Sequence, residues 1–159
     1  MRLICAVALV AVFIAACGGA ARTTPVGRAL PPAPPPVNPC SVLTRHQVSV
    51  AFRVAAPPTA RRIGAACSYH QRHYTLTVTV GVATAANRDS LEHPIASATR
   101  LDGPGYAGTA TDYIREAQTG VALVKGRILL MLVLTDTKGH RRSLHRAAIA
   151  LGRDAARRL

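Results

Sequence analysis

The sequence predicts an α+β domain, an antiparallel sheet of about five strands with an early and a late helix packed on one face. Three observations predict it. Residues Thr75-Leu76-Thr77-Val78-Thr79-Val80 alternate polar and apolar at a period of two, which suits a strand with one buried face. Residues Ile128 to Leu134 are apolar at every position, which suits a central strand with a helix on one side. Arg141 to Leu159 carries apolar residues at helical spacing with arginines between them.

The chain begins with a targeting segment. Met1-Arg2 leads into Leu3–Ala16, almost wholly apolar, then Cys17-Gly18-Gly19. A basic start and a short apolar run are the features of a secretory signal. A helix of that length spans about 21 Å, short of the roughly 30 Å hydrocarbon core. Ile14-Ala15-Ala16-Cys17 resembles a bacterial lipobox, which implies a signal over 1–16, cleavage before Cys17 and a diacylglyceryl group on its sulfur. The linker, 17–37, holds Pro31-Pro32-Ala33-Pro34-Pro35-Pro36. Repeated proline favours an extended polyproline II spacer. One domain is expected over 38–159, since the chain of 159 residues does not comfortably hold two.

Four cysteines then divide by place. Cys5 leaves with the signal, Cys17 takes lipid, and Cys40 and Cys67 remain. An exported compartment favours their disulfide; a metal pair or free thiols are the alternatives. Neither lies in a Cys-x-x-Cys.

The elements follow in order. Thr44 suits an N-cap with Gln47 at N3 of a capping box, and Leu43 with Val48 forms a hydrophobic staple. This helix ends near Arg53 or Val54, before Pro57-Pro58, with Val48, Ala51 and Phe52 on its apolar face. Cys67–His70 and Tyr74–Val80 form a hairpin turning near Gln71–Arg72. A short helix from Asn87 is limited by Pro94, and Gly103–Gly108 reads as a loop. Ala110–Ile114 suits an edge strand. Gly120–Val124 turns at Lys125-Gly126 into Arg127–Leu134. In the last helix Leu144, Ala148, Leu151 and Ala155 share one stripe; Arg142, Arg146, Arg153 and Arg157 share the other.

Asn38-Pro39-Cys40-Ser41-Val42-Leu43-Thr44 resembles the opening signature of a family of small actinobacterial, mycobacterial-type lipoproteins of unknown function. Gln47 and Val48, Cys67 with Tyr69, the glycine-rich loop 103–108 and the helix Ala147–Leu159 fit the same pattern. The resemblance carries over no catalytic residue. The domain also distantly resembles extracellular sensor domains of mycobacterial-type receptor kinases, which implies ligand sensing.

Composition narrows the function. The chain carries 20 Lys plus Arg against 7 acidic residues, a formal charge of +13, with 4% aromatics and no Trp. Export argues against nucleic acid as the partner of that charge. No Gly-x-Ser-x-Gly, Ser-x-x-Lys or phosphate-binding glycine loop occurs. His46, His70 and His73 suggest at most a solvated turn, His140 and His145 lack partner spacing, and Asp89 suits the N-terminal turn of the short helix. Of two carboxylate pairs, Asp89 with Glu92 could share a helix face, and Asp112 with Glu116 and a histidine is the set a hydrolase would use. The expectation is therefore a non-enzymatic, lipid-anchored module on the outer face of the cell membrane, without cofactor or metal. Its partner would be an anionic lipid, a wall polymer or another envelope protein, met through Arg142, Arg146, Arg153 and Arg157. The alternatives are a ligand-sensing accessory of an envelope signalling system, or an envelope hydrolase.

Overall fold

A computed structural model describes residues 36–113, 117–138 and 141–159, without the side chains of 141 and 142. The segment 1–16, Cys17, nearly all of the 17–37 linker, Glu116 and His140 lie outside the described residues.

The first turn explains the Asn-Pro-Cys-Ser run. The Cys40 N–H donates to Asn38 Oδ1 at 3.1 Å, and the Ser41 N–H and hydroxyl both donate to the Asn38 carbonyl. This Asx turn delivers Cys40 to Cys67, with Cα atoms 5.1 Å apart and the disulfide formed. Helix α1 (Arg45–Phe52) then starts on Thr44 with a complete capping box to Gln47. Leu43 and Val48, the staple pair, are both buried. Arg53 ends the helix in the left-handed region.

Among the described residues seven strands follow, not about five: β1 (Thr59–Ile63), β2 (Ala66–Gln71), β3 (Tyr74–Val82), β4 (Thr99–Arg100), β5 (Tyr106–Tyr113), β6 (Gln118–Lys125) and β7 (Ile128–Asp136). The additional two are the edges of an all-antiparallel sheet of order β1-β2-β3-β7-β6-β5-β4. Neither edge shows a buried alternation: β1 is mostly exposed and β4 has two residues. Their pairing is a backbone matter that side-chain periodicity does not report. Of the expected edge strand 110–114, residues 110–113 are accordingly part of β5, inside the sheet order, and Ile114 lies outside the described residues; β5 also absorbs Tyr106–Gly108 from the expected loop. Gly108 is needed there, since a Cβ would come within 2.2 Å of Leu123 Cδ2 and 2.6 Å of the Ala122 carbonyl.

Helix α2 (Ala85–Glu92) begins two residues before Asn87, because Thr84 is its N-cap and Asn87 closes the box at N3. Asp89 thus misses the first turn and instead contacts His93 in solvent, at 3.2 Å. Helix α3 (Arg141–Arg158) packs on β5, β6 and β7, and α1 packs on α3.

Register fixes the core. Leu76, Val78 and Val80 of β3 oppose Leu134, Leu132 and Leu130 of β7, and Leu132 and Leu130 oppose Val121 and Leu123 of β6. These side chains meet Leu144, Ala148, Leu151 and Ala155 of α3, each at most 1% exposed. The small residues let the helix sit close: a Cβ on Gly152 would lie 3.1 Å from Val121 Cγ1. Lys125 donates from its Nζ to the Ala156 carbonyl at 2.8 Å, which satisfies a C-terminal carbonyl of α3 and complements its dipole. Among the described residues no helix is long and apolar enough to cross a membrane.

Candidate functional site

The exposed stripe of α3 follows from its 100° step per residue. Arg146, Ala150, Arg153 and Arg157 fall within one narrow sector, opposite the buried stripe, and all four are exposed. Arg142 occupies the same sector by helical register, its side chain lying outside the described residues. Asp154, half-buried, pairs with Arg157. The fold widens this stripe in a way that periodicity does not reveal. Packing α1 against α3 adds exposed Arg45 and Arg53 to the same layer, and Arg158 lies at its end.

Between the two helices runs a groove of about 290 Å³. Its lining includes Val50, Phe52, Leu144 and Ala147, with Arg53 and Arg146 among the residues at its sides. Val50 is 62% exposed, an apolar residue set among cations. The groove is a surface feature, because the layer between helix and sheet is filled by side chains at 0–2% exposure. Phe52 stacks on Tyr74 of β3 with ring centroids 4.6 Å apart.

The first described residues enter the domain beside this layer. Cys40 borders a hollow lined also by Arg45, Tyr69 and Arg158, where α1 begins and α3 ends. Tyr69 fastens the entry, its hydroxyl donating to the Leu43 carbonyl at 2.6 Å and lying 3.2 Å from the Cys40 carbonyl. Burial pushes its phenol above the usual 10.0, against a smaller lowering by Arg45 and Arg158.

The remaining polar residues resolve as follows. His70 accompanies Thr75 at 3.2 Å on one face of β2–β3, whereas His73 sits in the turn 3.9 Å from Asp136 on the other side. The two do not converge. Among the described residues no group of three or more His, Cys, Asp or Glu could hold a metal.

A second constellation was legible in the sequence only as Asp112 with an unspecified histidine. Asp112 of β5 meets His145 of α3, its Oδ1 lying 2.9 Å from the imidazole Nδ1. The Thr119 hydroxyl donates to the same Oδ1 at 2.6 Å, and His145 Nε2 lies 3.2 Å from the Thr99 hydroxyl of β4. A carboxylate only accepts, so in the neutral ring Nδ1 carries the hydrogen and Nε2 accepts from Thr99. Of the expected hydrolase set, Asp112 gains a histidine partner, and Glu116 lies outside the described residues. Separations of 13 and 33 residues match no local motif; sheet pairing and helix docking alone assemble the group.

Comparison of the chain with protein-family models, with curated proteins and with solved structures gave no match.

Proposed function

We propose that the chain is an exported, lipid-anchored envelope protein whose α1–α3 face docks on an anionic surface, first of all the headgroups of the membrane that holds its lipid. The observation that carries this reading is the cationic layer. Arg45, Arg53, Arg146, Arg153 and Arg157 are exposed on two packed helices, around an exposed Val50. The place of Cys40 supports it, because the described chain enters the domain at the edge of that layer. Two acyl chains suffice for anchoring, so the arginines serve to orient the domain. Near an anionic surface each contributes about 1 kcal/mol, screened by salt.

The test is vesicle flotation of the unlipidated chain with anionic and with zwitterionic vesicles. Binding to the anionic vesicles alone, weakening as salt rises, is expected. Reversing Arg146, Arg153 and Arg157 to Glu should weaken it at least about a hundredfold, the equivalent of roughly 3 kcal/mol. Binding indifferent to salt and to these substitutions would sink the reading. Anchoring is tested separately: labelling with a palmitate analogue should vanish in Cys17→Ala.

A further inference from the structure

We propose that Thr99 is an acyl-accepting nucleophile, with His145 as its general base and Asp112 as the residue that positions the base. The geometry satisfies both links that such a site requires. The hydroxyl lies 3.2 Å from Nε2, and Nδ1 lies 2.9 Å from the carboxylate. Asp112 fixes the tautomer that leaves the Nε2 lone pair on the hydroxyl, and the Thr119 hydroxyl holds Asp112 in turn. The group is reachable. Thr99 is exposed, and the side chains of His145 and Asp112 are 24% and 46% exposed.

The sheet edge offers a donor for the developing oxyanion. Leu101 N–H donates to the Gly108 carbonyl of β5 at 2.8 Å. Alternation along an antiparallel strand then turns the Arg100 N–H away from β5. It belongs to the residue that follows the nucleophile, and β4 is the last strand of the sheet. Ile95, 63% exposed, lies four residues before Thr99 on the turn closed by the Ala98 N–H to Ile95 carbonyl bond.

The substrate class is a carboxylic ester with a small acyl group. Thr99 Oγ1 bonds to the carbonyl carbon as its proton passes to His145 Nε2. The ester C–O bond breaks, and the departing alkoxide takes that proton. Water then adds to the acyl-threonine, giving a proton to Nε2. Thr99 leaves as the alkoxide and recovers that proton, and the acid is released. Ester and water become acid and alcohol.

The test uses the full chain with p-nitrophenyl acetate, following turnover together with acid-quenched peptide mass mapping. An acetyl group on the Thr99 peptide is expected, kept in Thr99→Ser and lost in Thr99→Val. Turnover should fall at least about tenfold in Thr99→Val, and about a hundredfold in His145→Gln, as expected for loss of a general base. Asp112→Asn should lower turnover while a matched thermal melt shows the fold intact. Absence of turnover above buffer overturns the proposal. Turnover that survives Thr99→Val, or acetyl found only on histidine or lysine, overturns it equally, since an exposed imidazole hydrolyses activated esters by itself.

Discussion

Tyr69 ties the N-terminal segment to the sheet. The residue is 2% exposed and its hydroxyl donates to the Leu43 carbonyl just before the helix cap. Tyr69→Phe leaves that carbonyl without its donor, and a loss of about 1–3 kcal/mol in a urea melt is expected. The pH dependence has a definite sign. Burial raises the phenol above 10.0, so the folded state holds the proton more tightly than the unfolded chain. The contribution is complete below 10.0 and disappears as pH climbs through the raised value. Alkaline titration of stability should therefore show a fall above 10.0 that is reduced in Tyr69→Phe.

Gly108 is decided at the same scale by space. Its missing Cβ would meet the Ala122 carbonyl at 2.6 Å, a backbone atom that cannot swing aside. Gly108→Ala should cost on the order of 1–3 kcal/mol as an overpacked position, measured by thermal melt. In the sequence this glycine looks like part of a loop, because nothing local announces a strand passing so near.

Among the elements, α1 was the most legible. Its cap, box and staple depend on residues within five positions of one another, and each forms as its residue types require. Thr44→Ala should cost about 1 kcal/mol, read by denaturant melt. The disulfide is an element-scale constraint too, closing a separation of 27 residues between the pre-helix turn and β2. Replacing both cysteines with Ser should lower stability by about 3–4 kcal/mol on the chain-entropy model. The seven residues Asn38 to Thr44 thus form a turn, a crosslink, a staple and a cap. The signature is a structural device. In α3 the apolar and arginine stripes were both legible from period alone. The edge strands were not, since β1 and β4 are held by ladder hydrogen bonds and bury almost no side chain.

At the scale of the described domain, the charged residues of the central strands share one face, which no single segment discloses. In β3, β5, β6 and β7 the three charged residues, Asp112, Lys125 and Asp136, all lie on the helix-facing side, by register with Thr119, Ile128 and Tyr74. Each has a partner there: His145 and Thr119 for Asp112, the Ala156 carbonyl for Lys125, the Lys138 N–H for Asp136. The opposite face of these strands is uncharged, with Thr75, Thr77 and Thr79 beside Leu129, Met131, Val133 and Thr135. The α1–α3 face carries exposed Arg45, Arg53, Arg146, Arg153 and Arg157, while Arg61, Arg62, Arg88 and Arg100 are exposed on other elements. If the α1–α3 face is the one that docks, the salt dependence of vesicle binding should belong to α1 and α3 together. Arg45→Glu with Arg53→Glu, at the two ends of a helix that no local period links to α3, is expected to weaken flotation by about tenfold or more.

What depends on near neighbours was legible in the residues alone: the capping box, the alternation of β3, the two stripes of α3, and the basic excess with its arginine bias. These follow from periods of 2 and 3.6 and from contacts within one turn. Only the tertiary structure decided which strands close the sheet, that α1 extends the arginine layer of α3, and that Thr99, Asp112 and His145 meet. Those outcomes depend on strand pairing and helix docking between residues tens of positions apart, and periodicity carries no record of which surfaces will come together.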